Sequence, residues 1–86
     1  MKVDLVFRIA FEQPYTGKYH GGQTLSRDDI AFTVIPCVGD GVIWDGDWAV
    51  ETCVYRYVGP DYVEVGLGKV AERDIEAFIE AGWVLR

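Results

Sequence analysis

Residues 2–12, KVDLVFRIAFE, alternate almost without fault. Val3, Leu5, Phe7, Ile9 and Phe11 fall on one face, and Lys2, Asp4, Arg8 and Glu12 on the other. A period of two over this length predicts a long strand with one face buried and one wet, the pattern of an antiparallel sheet. The next segment, QPYTGKYHGGQTLSRDD, has no period, and Pro14, Gly17, Gly21 and Gly22 interrupt it. It predicts a loop of about 16 residues over 13–28, of the length that is usually functional or mobile. IAFTVIP then predicts a second strand with Ile30, Phe32 and Val34 on one face, ended or placed at an edge by Pro36, which cannot donate to a ladder.

GVIW and WAVETCVYRYV predict two further strands joined at Asp45-Gly46, and GPD turns the chain into YVEVGL with Val63, Val65 and Leu67 inward. Asp-Gly suits a two-residue type I′ turn, because both central residues need positive φ. That register sets Trp44 opposite Asp47 and Ile43 opposite Trp48. It puts Ile43, Trp48, Val50 and Val54 on the core face, and Val42, Trp44, Asp47, Glu51, Tyr55 and Tyr57 on the other. Two three-residue loops compete, Trp44-Asp45-Gly46 and Asp45-Gly46-Asp47. Trp48, Val50 and Val54 face the core in all three registers, whereas Trp44 is exposed in two.

The period changes near the C-terminus. Ala71, Ile75, Phe78, Ile79 and Gly82 follow one face of a helix of about three turns. Glu72 and Asp74 suit the positive end of its dipole, and Gly82 suits the left-handed residue that stops it. WVLR is expected to return to the sheet as an anchor or short strand. The order predicts one α+β domain over 1–86: a small, mostly antiparallel curled sheet or SH3-like barrel of about five strands with one C-terminal helix. The likeness to SH3-like barrels rests on the Gly-Asp-x-Val entry to a hairpin; it is one of fold, and such barrels host many functions.

Half of the 86 residues are hydrophobic, enough to fill one small core without a disulfide or metal staple. Cys37 and Cys53 lack CxxC spacing, and free thiols are expected of them. Residues 1–36 balance four bases against four acids, so the whole formal charge of −6 falls after Pro36. Such a field repels phosphate backbones, so direct nucleic-acid binding is disfavoured and a basic partner suits it better. Asp4, Arg8 and Glu12 interrupt any signal-peptide core, and no apolar run approaches the roughly 20 residues of a membrane span. A soluble, cytoplasmic protein is expected.

No motif carries catalysis. Gly17 and Gly22 have phosphate-loop spacing, but Gln23 stands where the motif needs lysine, and a strand follows instead of a helix. His20 is the only histidine, and no base or orienting group lies near either cysteine in sequence. Asp45, Asp47 and Glu51 fail the calcium-loop spacing: from Asp45 the fifth position is Ala49 and the twelfth Arg56. No cofactor or metal is expected. Trp44, Tyr55 and Tyr57 beside Asp47 and Glu51 instead form an acidic, aromatic candidate contact patch, of residue types enriched at binding hot spots. The competing expectation is that these rings cover the second face of the sheet. The first reading is therefore a non-enzymatic protein-binding module, an adaptor, regulator or inhibitor. The alternatives are an assembly protein that forms homo-oligomers through an edge strand, and a ligand binder or enzyme built on His20 and the 13–28 loop.

Overall fold

The computed structural model of the chain describes residues 1–14, 16–44 and 50–86. In chain order the elements are β1 (Lys2–Ala10), β2 (Thr24–Ala31), β3 (Gly41–Val42), β4 (Glu51–Thr52), β5 (Tyr55–Val58), β6 (Val63–Ala71), a 3-10 turn (Glu72–Asp74), α1 (Ile75–Glu80) and β7 (Val84–Leu85). Five strands form one sheet in the order β5-β6-β1-β2-β7, and β3 pairs with β4 in a second. β1 is parallel to β6 and antiparallel to β2; the remaining pairs are antiparallel. β5 and β7 lie at open edges, so the sheet does not close, and the barrel alternative is corrected to an open α+β sheet. At the centre of the sheet β1 and β6, far apart in sequence, lie side by side. The parallel connection between them contains β2, β3, β4 and β5.

The alternation of β1 is realised: Val3, Leu5, Phe7 and Ile9 are buried on one face. β2 sets Leu25 opposite Phe7 and Ile30 opposite Val3, and β6 adds Val65, Leu67 and Val70 to the same core. α1 lies on this side through Ile75 and Phe78, and it stops where its sequence predicts. Gly82 takes φ 104°; its N–H bonds the Ile79 carbonyl and that of Trp83 the Phe78 carbonyl. This six-to-one, five-to-two pattern is a Schellman motif, and it swings Trp83 under the helix. Phe7, Phe78 and Trp83 meet with centroid separations of 5.1–5.6 Å. The predicted terminal strand is β7, which pairs with β2 through Leu25–Leu85 and Ser26–Val84.

β2 begins six residues earlier than the hydrophobic pattern predicts, so the long loop spans 11–23. Ser26 and Asp28 conceal the strand because their polar groups are paired with each other and with Arg86. Ser26 is buried and donates its hydroxyl to Asp28 Oδ1 at 2.7 Å, and Arg86 pairs with the same carboxylate. Burial pushes the Asp28 carboxyl up, but Ser26 and Arg86 outweigh it and hold it below the ordinary value. Asp29 then takes φ 59° within a register shift opposite Val3–Leu5, which breaks the period of two. The predicted strand through Pro36 stops at Ala31.

Candidate interaction surface

The hairpin inverts the expected parity. Gly41 pairs with Thr52 and Val42 with Glu51, one step beyond the furthest of the three anticipated registers. Val42, Trp44 and Cys53 point into the core, while Ile43, Val50 and Val54 are half exposed or more. Ile43, Val50 and Val54, expected on the core face, lie outside, and Val42 and Trp44, expected outside, lie in the core; Tyr55 and Tyr57, expected on one face with Val42 and Trp44, are set on the opposite side of the main sheet. Trp44 is 6% exposed and meets Phe7 and Trp83 edge-on at 6.2 and 5.6 Å. A pocket walled by two aromatic rings buries an indole more completely than Ile43 or Val50 would fill it. Trp44 is therefore a core residue and not part of a contact patch. Asp47, Trp48 and the Asp45-Gly46 turn lie outside the described residues.

Of the other candidates, Glu51 is half-buried on β4, opposite Val42. Tyr55 and Tyr57 share one face of β5, opposite Gly66 and Glu64 of β6. That face carries Asp4, Val6 and Arg8 of β1, and α1, β3 and β4 lie on the other side with Phe7. Among the described residues no element packs over it. Gly66 is needed here: a Cβ at this position would stand 1.9 Å from the Tyr55 ring, so glycine lets the ring lie flat across the strand. The Tyr55 hydroxyl donates to Glu64 Oε2 at 2.7 Å. Burial, the Glu64 hydrogen bond and the Glu64 charge push the phenol up to about 12, with the Arg8 charge acting against them.

A folded-state value above the ordinary phenol value of about 10 means that stability from this contact is complete below pH 10. It is lost as pH rises through about 12. In a spectrophotometric titration Tyr55 should ionise in the last step. Gly66→Ala should displace the ring, break the Glu64 bond and return this tyrosine towards about 10; an unchanged last step would refute the contact.

Tyr62 is a contributor that reading the sequence missed. It lies diagonally across the β5–β6 turn from Tyr57, with ring centroids 5.4 Å apart and planes at 30°. Both rings are about half exposed, at 51% and 49%. Partial desolvation, then Tyr57, Glu64 and Asp4, push the Tyr62 phenol up, and the register sets Tyr57 opposite Glu64 and Glu64 opposite Asp4. The Gly59-Pro60-Asp61 turn was the available signal, because its register sets Tyr62 next to Tyr57. A second exposed apolar surface joins Val34, Ile43 and Val50, beside a depression of about 440 Å³ lined by Phe32, Ile35, Pro36 and Val42. Among the described residues Asp40 is the one charged residue of its lining.

His20 is exposed, and its backbone N–H donates to Gln23 Oε1 at 2.6 Å. Both cysteines are free; Cys37 is exposed, and burial pushes the Cys53 thiol up. Among the described residues no group of three or more His, Cys, Asp or Glu is placed to hold a metal ion, and no helix is long and apolar enough to cross a membrane. Comparison with protein-family models, with curated proteins and with solved structures finds no match to this chain.

Proposed function

We propose that the protein is a non-enzymatic binding module that holds a basic segment of a partner protein on the acidic, aromatic end of its uncovered sheet face. The observation that carries this reading is the Tyr57–Tyr62 pair, half exposed beside Asp4 and Glu64. Tyrosine offers large contact area at low entropic cost and is enriched at hot spots. The flanking carboxylates select for Lys and Arg, in keeping with the acidity of the chain after Pro36. The apolar surface around Val34 offers area without such selection.

Affinity capture with purified protein at low salt tests the proposal. A basic protein should be retained by the wild type, released by added salt, and lost from Tyr57→Ala/Tyr62→Ala by roughly tenfold or more. It should be retained by Val34→Ala. Equal capture by the wild type and the double tyrosine variant would refute it. A second reading has support in the same place: β5 is an edge strand whose outer side pairs with no other strand among the described residues, and Val58 is exposed, an edge which a second copy would pair. A mass by light scattering that stays monomeric at high concentration rules that reading out.

A further inference from the structure

The register of the parallel β1–β6 pair sets like charge against like charge twice. Asp4 lies opposite Glu64 at one end, and Arg8 opposite Lys69 at the other. Like charges directly opposite each other destabilise a sheet, so both pairs cost stability that exchanged partners would restore. The basic pair arises from a bulge. Gly68 takes φ 107°, the register shifts between Val6 and Arg8, and Lys69 rather than Gly68 comes to face Arg8. Both cations are exposed, and neither forms an ion pair among the described residues, although the chain holds fourteen acids.

Two open depressions meet at this pair. One, of about 390 Å³, is bounded by Arg8, Lys69, Gly68, Val54 and Tyr55. The other, of about 450 Å³, is bounded by Arg8, Lys69, Phe11 and the turn Gly21–Thr24. At Gly21 and Gly22 an added Cβ would meet nothing within 4 Å, so bare backbone faces open space. We propose that Arg8 and Lys69 bind a dianionic phosphate group, with the Gly21–Gly22 turn at one side and Tyr55 and Val54 taking the organic body of a small phosphate monoester. Two adjacent cations match a charge of −2 better than a single carboxylate does. Arginine supplies a planar two-pronged donor and lysine a point charge. A bound dianion also offsets the repulsion between the two cations that this register imposes. This site is separate from the Tyr57–Tyr62 end of the face and does not depend on its role.

The test is a titration of isotope-labelled protein with inorganic phosphate and with phenyl phosphate, at constant ionic strength and above the second phosphate pKa of about 6. Saturable shifts are expected at the amides of Arg8, Lys69, Gly21 and Gly22, with Kd on the order of 1 mM and tighter binding of phenyl phosphate. Arg8→Gln and Lys69→Gln should each weaken binding roughly tenfold or more. Lys69→Gln should melt higher than the wild type in chloride and gain nothing from phosphate. Tyr57→Ala/Tyr62→Ala should bind phosphate as the wild type does, which keeps this outcome apart from that of the partner-capture experiment. Shifts that stay linear to about 20 mM, well beyond the Kd expected, or binding unchanged in both glutamine variants would overturn the proposal. Equal affinity for the two phosphates would overturn the assignment of Tyr55 and Val54.

Discussion

Trp44→Ala should destabilise the protein by about 3–5 kcal/mol, the usual cost of emptying a buried aromatic site. The indole is enclosed by Phe7 and Trp83, both nearly fully buried, so the surrounding rings have little freedom to collapse into the void. A domain of this length has a total stability on the order of 4–13 kcal/mol. Each kcal/mol moves the melting temperature by about 4–8 °C in a domain this small, so a fall on the order of 15–30 °C is expected. Val50→Ala and Ile43→Ala, at residues 60% and 53% exposed, should change stability by no more than about 0.5 kcal/mol. Urea unfolding of the three variants measures this directly. A Trp44→Ala protein as stable as the Val50→Ala protein would contradict the inverted parity of the hairpin.

That hairpin marks where sequence patterning loses its force. β1 is legible because its two faces differ sharply: hydrophobic at Val3, Leu5, Phe7 and Ile9, charged at Asp4 and Arg8. The hairpin offers no such contrast, since Val42, Trp44 and Cys53 are as apolar as Ile43, Val50 and Val54. Alternation sets Val42 with Trp44 and Val50 with Val54 but cannot say which pair is inside, and it does not foresee that Tyr55 and Tyr57 leave the face of Val42 and Trp44. The choice is made by distant residues, Phe7 and Trp83, which leave an aromatic-walled space that Trp44 fills. Gly82 is legible for the opposite reason, because a Schellman stop is a local device.

The candidate surface divides in the same way. Tyr55 and Tyr57 are readable as same-face residues of one strand. Their relation to Asp4 requires the β1–β6 pairing, which joins segments about 60 residues apart and leaves no local mark. The juxtaposition of Arg8 with Lys69 depends further on a one-residue bulge at Gly68. The resulting face is polarised along the strands, acidic and aromatic at the Asp4–Glu64 end and basic at the Arg8–Lys69 end. A surface optimised only for stability would alternate these charges. Their segregation fits a surface that meets two different ligands, because natural domains give up stability at sites where function requires it.

Glu72→Ala should cost about 2–3 kcal/mol and loosen the 11–23 loop, whose other anchor is the buried Tyr19 ring. Glu72 is 9% exposed and begins the turn that follows β6. Its Oε1 accepts the Glu12 backbone N–H at 2.6 Å and its Oε2 the Thr16 hydroxyl at 3.0 Å. The loop returns the contact, as Glu12 Oε1 accepts from the Arg73 backbone and guanidinium at 3.4 Å. These bonds prolong the β1–β6 pairing beyond Ala10–Ala71 after the ladder has ended. Removing the carboxylate leaves the Glu12 amide without its charged acceptor, a loss larger than that of a neutral hydrogen bond. Lys18→Ala removes the exposed Lys18–Glu76 pair at 2.8 Å and a cation–π contact with Tyr19 at 5.6 Å, and should cost no more than about 1 kcal/mol. Hydrogen exchange separates a local from a global effect. In Glu72→Ala the amides of Glu12 and of Gln23, which bonds the His20 carbonyl at 3.0 Å, should exchange faster than those of β1 and β6. The Gly21–Gly22 turn would then lose its fixed place beside Arg8, so the same variant should bind phosphate more weakly while keeping both cations. Unaltered loop exchange in a destabilised Glu72→Ala protein would show that Glu72 supports the core alone and does not position the loop.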